Sequence, residues 1–336
     1  MPSTARPRVL LSATARYPFV EADIALLRSH FDLDVYIGSG VRGVWQNLLR
    51  AMRADVSFCW LGSVYTFFMT LGARLGGKRS MVMLGGVDVA REPEINYGLW
   101  LTPWKGRLLG AALRRADRVF VVDMSMREQL EQSSGERWEK IEWLPTGYDL
   151  DYWTPNFPKT RRVLTVAACN AGKRPEVKGI DLLIEVAHRL PDVPFRLIGP
   201  SPDLLPELRA LAPPNMEILS PIPHTQLLEE YRAAQVYCQP SRREGLPNAL
   251  CEAMLCGCVP VGTHVNGIPT AIGQSGYVVQ PDDADTLQDA IAEALAAPES
   301  AGLAAREQIA STFPMERREN TLVHTILQLS RAQAHR

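Results

Sequence analysis

Residues 235–262 read QVYCQPSRREGLPNALCEAMLCGCVPVG. Gln235 to Gln239 is a short apolar-rich run closed by Pro240, and Cys258 to Gly262 is a second one. Between them the chain loops through Ser241 to Leu246 and then takes helical spacing. Strand, loop, helix and strand in this order are the unit of a parallel sheet, because parallel neighbours need a crossover. In such sheets the loop leaving the carboxyl end of a strand is where ligands bind.

The same rhythm extends in both directions. Upstream, Val163 to Ala168, Pro194 to Ile198 and Met216 to Leu219 read as strands, with helices over Ile180 to Leu190 and Gln226 to Ala233. Downstream, Ala284 to Ala296 reads as a helix. An earlier series runs through Val9–Leu11, Leu33–Ile37, Val56–Trp60, Ser80–Leu84 and Val119–Val122, with helices at Ala22–Phe31 and Trp104–Arg115. The proline-bearing stretch from Leu144 to Pro158 separates the two series. The expected fold class is therefore α/β with two doubly wound, Rossmann-like domains. The expected boundaries are 1–150, 151–313 and a C-terminal helix over 314–336 with Leu322, Ile326 and Leu329 as its apolar stripe. A chain of 336 residues suits two cores better than one.

Composition excludes several function classes. With 36 Lys and Arg against 37 Asp and Glu, the chain lacks the bulk positive charge of a nucleic-acid binder. The N-terminus, MPSTARPRVLLSATARYPF, has no continuous apolar core of a signal peptide. Val56 to Leu75 is too interrupted by polar residues and glycine to be a membrane span. The expected location is cytoplasmic, with a peripheral position at the inner face of a membrane left open. The six cysteines form no CxxC pair and read as reduced, buried thiols. The six histidines show no metal spacing.

The loop itself has the chemistry of a site. Pro247 suits a first helical position, and Asn248, Ala249 and Leu250 then present backbone N–H groups at the positive end of a helix. Gly245 allows close backbone approach, next to Leu246. Glu244 and Glu252 flank this helix end. Like charge keeps them off a bound diphosphate, so each faces neutral hydroxyls: Glu252 a ribose, Glu244 a sugar at the other end. The alternative is plain, with Glu252 complementing the helix dipole and Glu244 solvated.

The stretch PSRREGLPNALCEAMLCGCVPVGT closely resembles the donor-binding signature of the retaining group-1 (family 4) glycosyltransferases, whose Glu-x7-Glu motif falls on Glu244 and Glu252. VKGIDLLIEVAHRL is similar to the family's lysine-glycine helix start, VPFRLIGPSP to the next strand, WLPTGYDLDYWTP to its interdomain junction and THVNGIPTAIGQSGYVVQPDDADTLQDAIAEAL to its closing section. The resemblance spans residues 140–297, and the first half matches more loosely. It implies the glycosyltransferase-B architecture, two Rossmann-like domains facing across a cleft. It also implies metal-independent transfer of a hexose-type sugar, with retention, from a UDP- or GDP-linked donor to a saccharide or lipid-linked acceptor in surface polysaccharide or glycolipid synthesis. Lys178 matches the phosphate lysine, and Lys173 or Arg174 the second cation. No metal and no cofactor beyond the nucleotide-sugar is implied, and no nucleic-acid partner. The alternatives are a non-catalytic nucleotide-sugar-binding scaffold, or another enzyme of this fold such as an epimerase or phosphorylase.

Departures from the family pattern concern the first half. The turn after the first strand, Ser12 to Phe19, contains no glycine, so Arg16 or the hydroxyls stand in or that contact is missing. The family's first-domain histidine has no match, since His30 reads as a helix-surface residue. Asp88, after Gly85-Gly86-Val87, offers either an acceptor-side hydrogen bond or base, or a turn cap. The pairs Asp32/Asp34, Asp149/Asp151 and Asp283/Asp285 read as structural rather than metal-binding. Trp100, Trp104, Lys105, Arg107, Arg114 and Arg115 read as a solvated helix face or, alternatively, as a contact with an anionic membrane.

Overall fold

The computed structural model of the chain describes residues 6–170 and 175–334. The chain divides into two units, Met1–Thr146 with Glu316–Arg336, and Gly147–Met315.

The first unit alternates strand and helix: β1 (Arg8–Ala13), α1 (Pro18–His30), β2 (Asp32–Ile37), α2 (Gly40–Ala51), β3 (Val56–Trp60), α3 (Val64–Leu75), β4 (Arg79–Leu84), α4 (Pro103–Arg115), β5 (Arg118–Val121), α5 (Ser125–Ser134) and β6 (Ile141–Trp143). Its strands lie in the order β2-β1-β3-β4-β5-β6, all parallel. Parallel strands are covered on both faces, which is why Val9-Leu10-Leu11 and Met81 to Leu84 are continuous apolar runs and fully buried. Val56 to Leu75, one interrupted apolar stretch in the sequence, is β3 followed by α3, with a break at Leu61 to Ser63.

The second unit repeats the plan: β7 (Thr160–Cys169), α6 (Ile180–Arg189), β8 (Phe195–Pro200), α7 (Leu205–Leu211), β9 (Met216–Leu219), α8 (His224–Ala233), β10 (Ala234–Gln239), α9 (Asn248–Leu255), β11 (Val259–Thr263), α10 (Gly267–Ile272), β12 (Tyr277–Val279), α11 (Ala284–Ala296) and α12 (Glu299–Thr312). The strand order is β12-β11-β10-β7-β8-β9, again all parallel. Val163, Leu197, Val236 and Val261 from the sheet pack with Leu183 of α6 and Ile291 of α11 in one core. The order reverses between β7 and β10. In open α/β sheets ligands are held outside the carboxyl ends of the strands at such a switch point.

The chain ends in α13 (Met315–Ala334), almost all of which belongs to the first unit. Arg318 on α13 is buried and forks onto Asp23 of α1, Nε to Oδ1 at 2.7 Å and Nη2 to Oδ2 at 2.6 Å. Its Nη1 donates to the Pro145 carbonyl at 2.7 Å. Asp23 also accepts from Trp60 Nε1 at 2.6 Å, so the buried charge is fully hydrogen-bonded.

Candidate functional site

Two loops build the site at the switch point of the second unit. The loop after β7 leads to a short 3₁₀ turn at Pro175–Lys178, and α6 follows. The loop after β10 carries Pro240 to Pro247 into α9. Gly179 is a point of close approach to the second loop. Its φ is +65°, and a Cβ there would stand 1.9 Å from the Pro240 carbonyl oxygen, so the glycine of the lysine-glycine pair is required by the fold itself. Arg242 adds a second clasp: its guanidinium reaches both carboxylate oxygens of Asp181, at 2.7 and 2.8 Å, and Asp282 Oδ1 at 2.6 Å. Its backbone N–H donates to the Val177 carbonyl at 2.9 Å.

The loops bring Lys178 and Glu244 together. Lys178 Nζ donates to Glu244 Oε1 at 2.6 Å, with side-chain exposures of 26% and 10%. The same oxygen accepts from Ser241 Oγ at 2.8 Å and Gln239 Nε2 at 3.0 Å. Glu244 is thus held as an acceptor by three donors on one oxygen. Lys178 retains two further N–H donors. Below the loop, Thr263 Oγ1 donates to the Ser241 carbonyl and Gly267 N–H to the Gly245 carbonyl, which fix its path.

Pro247 is the N-cap of α9 and Asn248 its first residue, one position later than the sequence implied. The first intrahelical bond is Cys251 N–H to the Pro247 carbonyl at 3.2 Å, so the N–H groups of the first turn have no acceptor within the helix. Asn248 Oδ1 accepts from Tyr148 OH at 2.7 Å. Leu246 is buried.

Glu252, one turn into α9, is buried and engaged at both oxygens, Oε1 with His224 Nε2 at 2.9 Å and Oε2 with Tyr231 OH at 3.2 Å. Burial pushes its carboxyl up, against the hydrogen bonds from His224 and Tyr231. The hydrogen bond to Glu252 pushes the His224 imidazole up in turn, opposed by its own partial burial. Together the two groups hold a proton to higher pH than a free imidazole. Trp153 packs edge-on against both His224 and Tyr231, at 5.2 and 5.7 Å between ring centres. His224 and Tyr231 had no functional signal of their own in the sequence, and the packing of α8 on α9 brings them to Glu252, whereas Gln239, Ser241 and Arg242 lie within five residues of Glu244 along the chain.

Lys173 and Arg174 lie outside the described residues. Asp88 has the geometry of the turn cap rather than of a base. It is fully buried, and its carboxylate accepts from the backbone N–H groups of Gly62 at 2.7 Å, Gly86 at 2.8 Å and Gly85 at 3.0 Å, joining the loops after β3 and β4. Arg16 pairs with Glu21 at 2.5 Å, and His30 with Glu319 at 2.7 Å. The three acidic doublets have structural roles: Asp34 meets Arg8 and Arg50, Asp149 accepts from two backbone N–H groups of its own turn, and Asp283 caps α11 through Thr286 N–H at 3.0 Å. Among the described residues no group of three or more His, Cys, Asp or Glu side chains could hold a metal.

This part of the chain is similar to known proteins. Residues 161–297, all within the second unit, match the family model described as glycosyl transferases, group 1. The D-inositol 3-phosphate glycosyltransferase of Geodermatophilus obscurus is 32% identical over 246 residues, 65% of this chain and 54% of the relative. The chain spans about half the length of the first curated relatives it matches. Among solved structures, sucrose-phosphate synthase of Thermosynechococcus elongatus superposes over 97% of this chain and all of its own, with a TM-score of 0.76 at 17% identity. Anabaena HepE in complex with UDP covers 96% of this chain and all of its own, at a TM-score of 0.74 and 14% identity. The fold is the glycosyltransferase-B fold.

Proposed function

We propose that this protein is a glycosyltransferase that moves a hexose-type sugar from a UDP- or GDP-linked donor to an acceptor hydroxyl, with retention and without a metal. The observation that carries the reading is the pairing of Lys178 with Glu244 at the switch point of the unit matched by the group 1 model, beside the first turn of α9. In this reading Lys178 and the N–H groups of Asn248, Ala249 and Leu250 meet the diphosphate, because a cation and a helix start both favour phosphate oxygens. Lys173 or Arg174 adds a second cation. Glu252 accepts from ribose hydroxyls through lone pairs that His224 and Tyr231 leave open. Glu244, oriented by three donors, accepts from hydroxyls of the transferred sugar.

The bond between the anomeric carbon and the diphosphate oxygen breaks as the bond to the acceptor oxygen forms. The acceptor proton passes to the departing diphosphate, and the products are a glycoside and a nucleoside diphosphate. The protein's contribution is to stabilise the charge that develops on the leaving group, through donors already in place before the bond breaks. A lipid-linked or saccharide acceptor in surface polysaccharide or glycolipid assembly fits the reading.

Calorimetry with UDP, GDP, ADP and their sugars tests it. Glu252→Ala is expected to weaken the bare nucleotide, and Glu244→Ala chiefly the nucleotide-sugar. Absence of any nucleotide binding refutes the proposal, and equal losses for nucleotide and nucleotide-sugar in both variants refute the assignment of the two acids.

A further inference from the structure

Helix α2 faces the wrong way for an ordinary surface helix. Its inward side is Gly43, Asn47 and Ala51, all buried, with Asn47 hydrogen-bonded to Ser12 Oγ at 2.6 Å. Its outward side carries Val41, Trp45 and Leu49, followed by Met52; Val41 is 78% exposed and Trp45 57%. Spacings of four, four and three residues make these a single stripe along the helix, about 16 Å long.

The charges carried by this helix layer have one sign. α2, α3 and α4, which pack side by side, carry seven Lys and Arg residues and not one Asp or Glu. Arg50 and Arg114 are paired with acids from neighbouring segments, whereas exposed Arg42, Arg53, Arg74, Lys105 and Arg107 have no carboxylate partner among the described residues. Leu75, at the end of α3, and Trp104, at the start of α4, are also exposed, and Lys105 lies over the Trp104 ring at 5.8 Å. α1 and α5, by contrast, carry Glu21, Asp23, Glu128 and Glu131.

We infer that the α2–α3–α4 layer of the first unit docks on a bilayer of anionic glycerophospholipid, with Val41, Trp45, Leu49 and Met52 entering the headgroup–acyl boundary and the unpaired cations among the headgroups. A protein partner is met by an apolar centre with a rim of mixed polarity. An apolar stripe that includes a tryptophan, on a layer of helices whose own charges are all positive, matches an interfacial helix on an anionic surface. No helix among the described residues is long and apolar enough to cross the membrane, so the contact lies in the plane of the interface.

The test is co-sedimentation of the full chain with vesicles of phosphatidylcholine, with and without roughly one third phosphatidylglycerol. Native protein is expected to partition onto the anionic vesicles at least about tenfold more than onto neutral ones, and to be released at high salt. Arg42→Glu/Arg53→Glu should lower that partitioning about a hundredfold, and Trp45→Ser/Leu49→Ser about tenfold or more. All of these positions are exposed, so both variants should melt with the native protein by circular dichroism. Equal partitioning on both vesicle types, or variants that partition as the native chain does, overturns the inference. So does a native dimer by light scattering that Trp45→Ser/Leu49→Ser converts to monomer, which would assign the stripe to a second copy. Vesicle binding is read without donor or acceptor, so its failure leaves the nucleotide-sugar reading standing.

Discussion

Gly179→Ala is the most informative single change, because the structure separates its two costs. The first is conformational: at φ +65° an alanine costs about 1–2 kcal/mol relative to glycine. The second is steric. The new Cβ would meet the Pro240 carbonyl oxygen at 1.9 Å and the Pro240 carbonyl carbon at 2.7 Å. A tolerable contact needs more than about 3 Å, so the two loops must part by more than about 1 Å, a strain of roughly 1–3 kcal/mol. The sum, about 2–5 kcal/mol, corresponds to a fall of roughly 5–15 °C in melting temperature for a unit of this size.

Gly135 provides the control. It has φ +72° at the end of α5, and an added Cβ there meets nothing within 4 Å. Gly135→Ala therefore bears only the conformational cost, and its melting temperature should fall by a few degrees. Parting of the loops also separates Lys178 from Glu244, whose 2.6 Å contact depends on both backbones. Gly179→Ala should thus lose nucleotide affinity by calorimetry at a temperature where it is still folded, while Gly135→Ala keeps it. If Gly179→Ala melts with Gly135→Ala and binds nucleotide like the native protein, the close approach of the two loops is not what the lysine-glycine pair secures.

Arg318→Leu leaves Asp23 charged and buried, and should cost about 3–5 kcal/mol in urea unfolding; adding Asp23→Leu should recover most of it, since an apolar pair replaces a stranded charge. The His224–Glu252 pair predicts a stability that declines with pH. The His224 value is raised above its unfolded 6.5, so its stabilising contribution is complete below that pH and lost as pH climbs through the folded value; the raised Glu252 value has the same sign. Urea midpoints measured on either side of neutrality should show this fall in native protein and much less of it in His224→Gln, and an equal fall in both would dissociate it from the pair. Sugar transfer is expected to persist in excess chelator, and its abolition would require a metal.

Most strands of both sheets were legible because a fully buried parallel strand is a continuous apolar run, as in Val9-Leu10-Leu11. α2 was not, and its inversion is the reason: a helix that buries Gly43, Asn47 and Ala51 while exposing Trp45 carries no inward apolar period to detect. The two glutamates and Lys178 were visible through motif spacing. The contacts they make were not, since His224 lies 28 residues from Glu252 in sequence and Lys178 lies 66 from Glu244. Asp88 was ambiguous for a physical reason: a carboxylate after two glycines suits a turn cap and a cleft-edge acid equally until the N–H donor of Gly62, on another loop, is in place.

The environments of Glu244 and Glu252 also bear on the kind of chemistry available. Two carboxylates eight residues apart invite comparison with the acid and nucleophile of a glycosidase. That mechanism needs one carboxyl to carry a proton toward a leaving oxygen and the other to attack carbon. Glu244 Oε1 is saturated by Lys178, Ser241 and Gln239, all donors, so the group is set to receive hydrogen bonds. Glu252 is the acid that burial pushes up, yet each of its oxygens already makes one hydrogen bond, to His224 and to Tyr231, well inside α9. Glu244 is arranged as an acceptor, and the proton of the His224–Glu252 pair is held within that pair. With the α9 N-terminus between them in sequence and Lys178 beside one, the pair in the proposed reading grips hydroxyls on either side of an anion, and proton transfer is assigned to the donor's own departing phosphate.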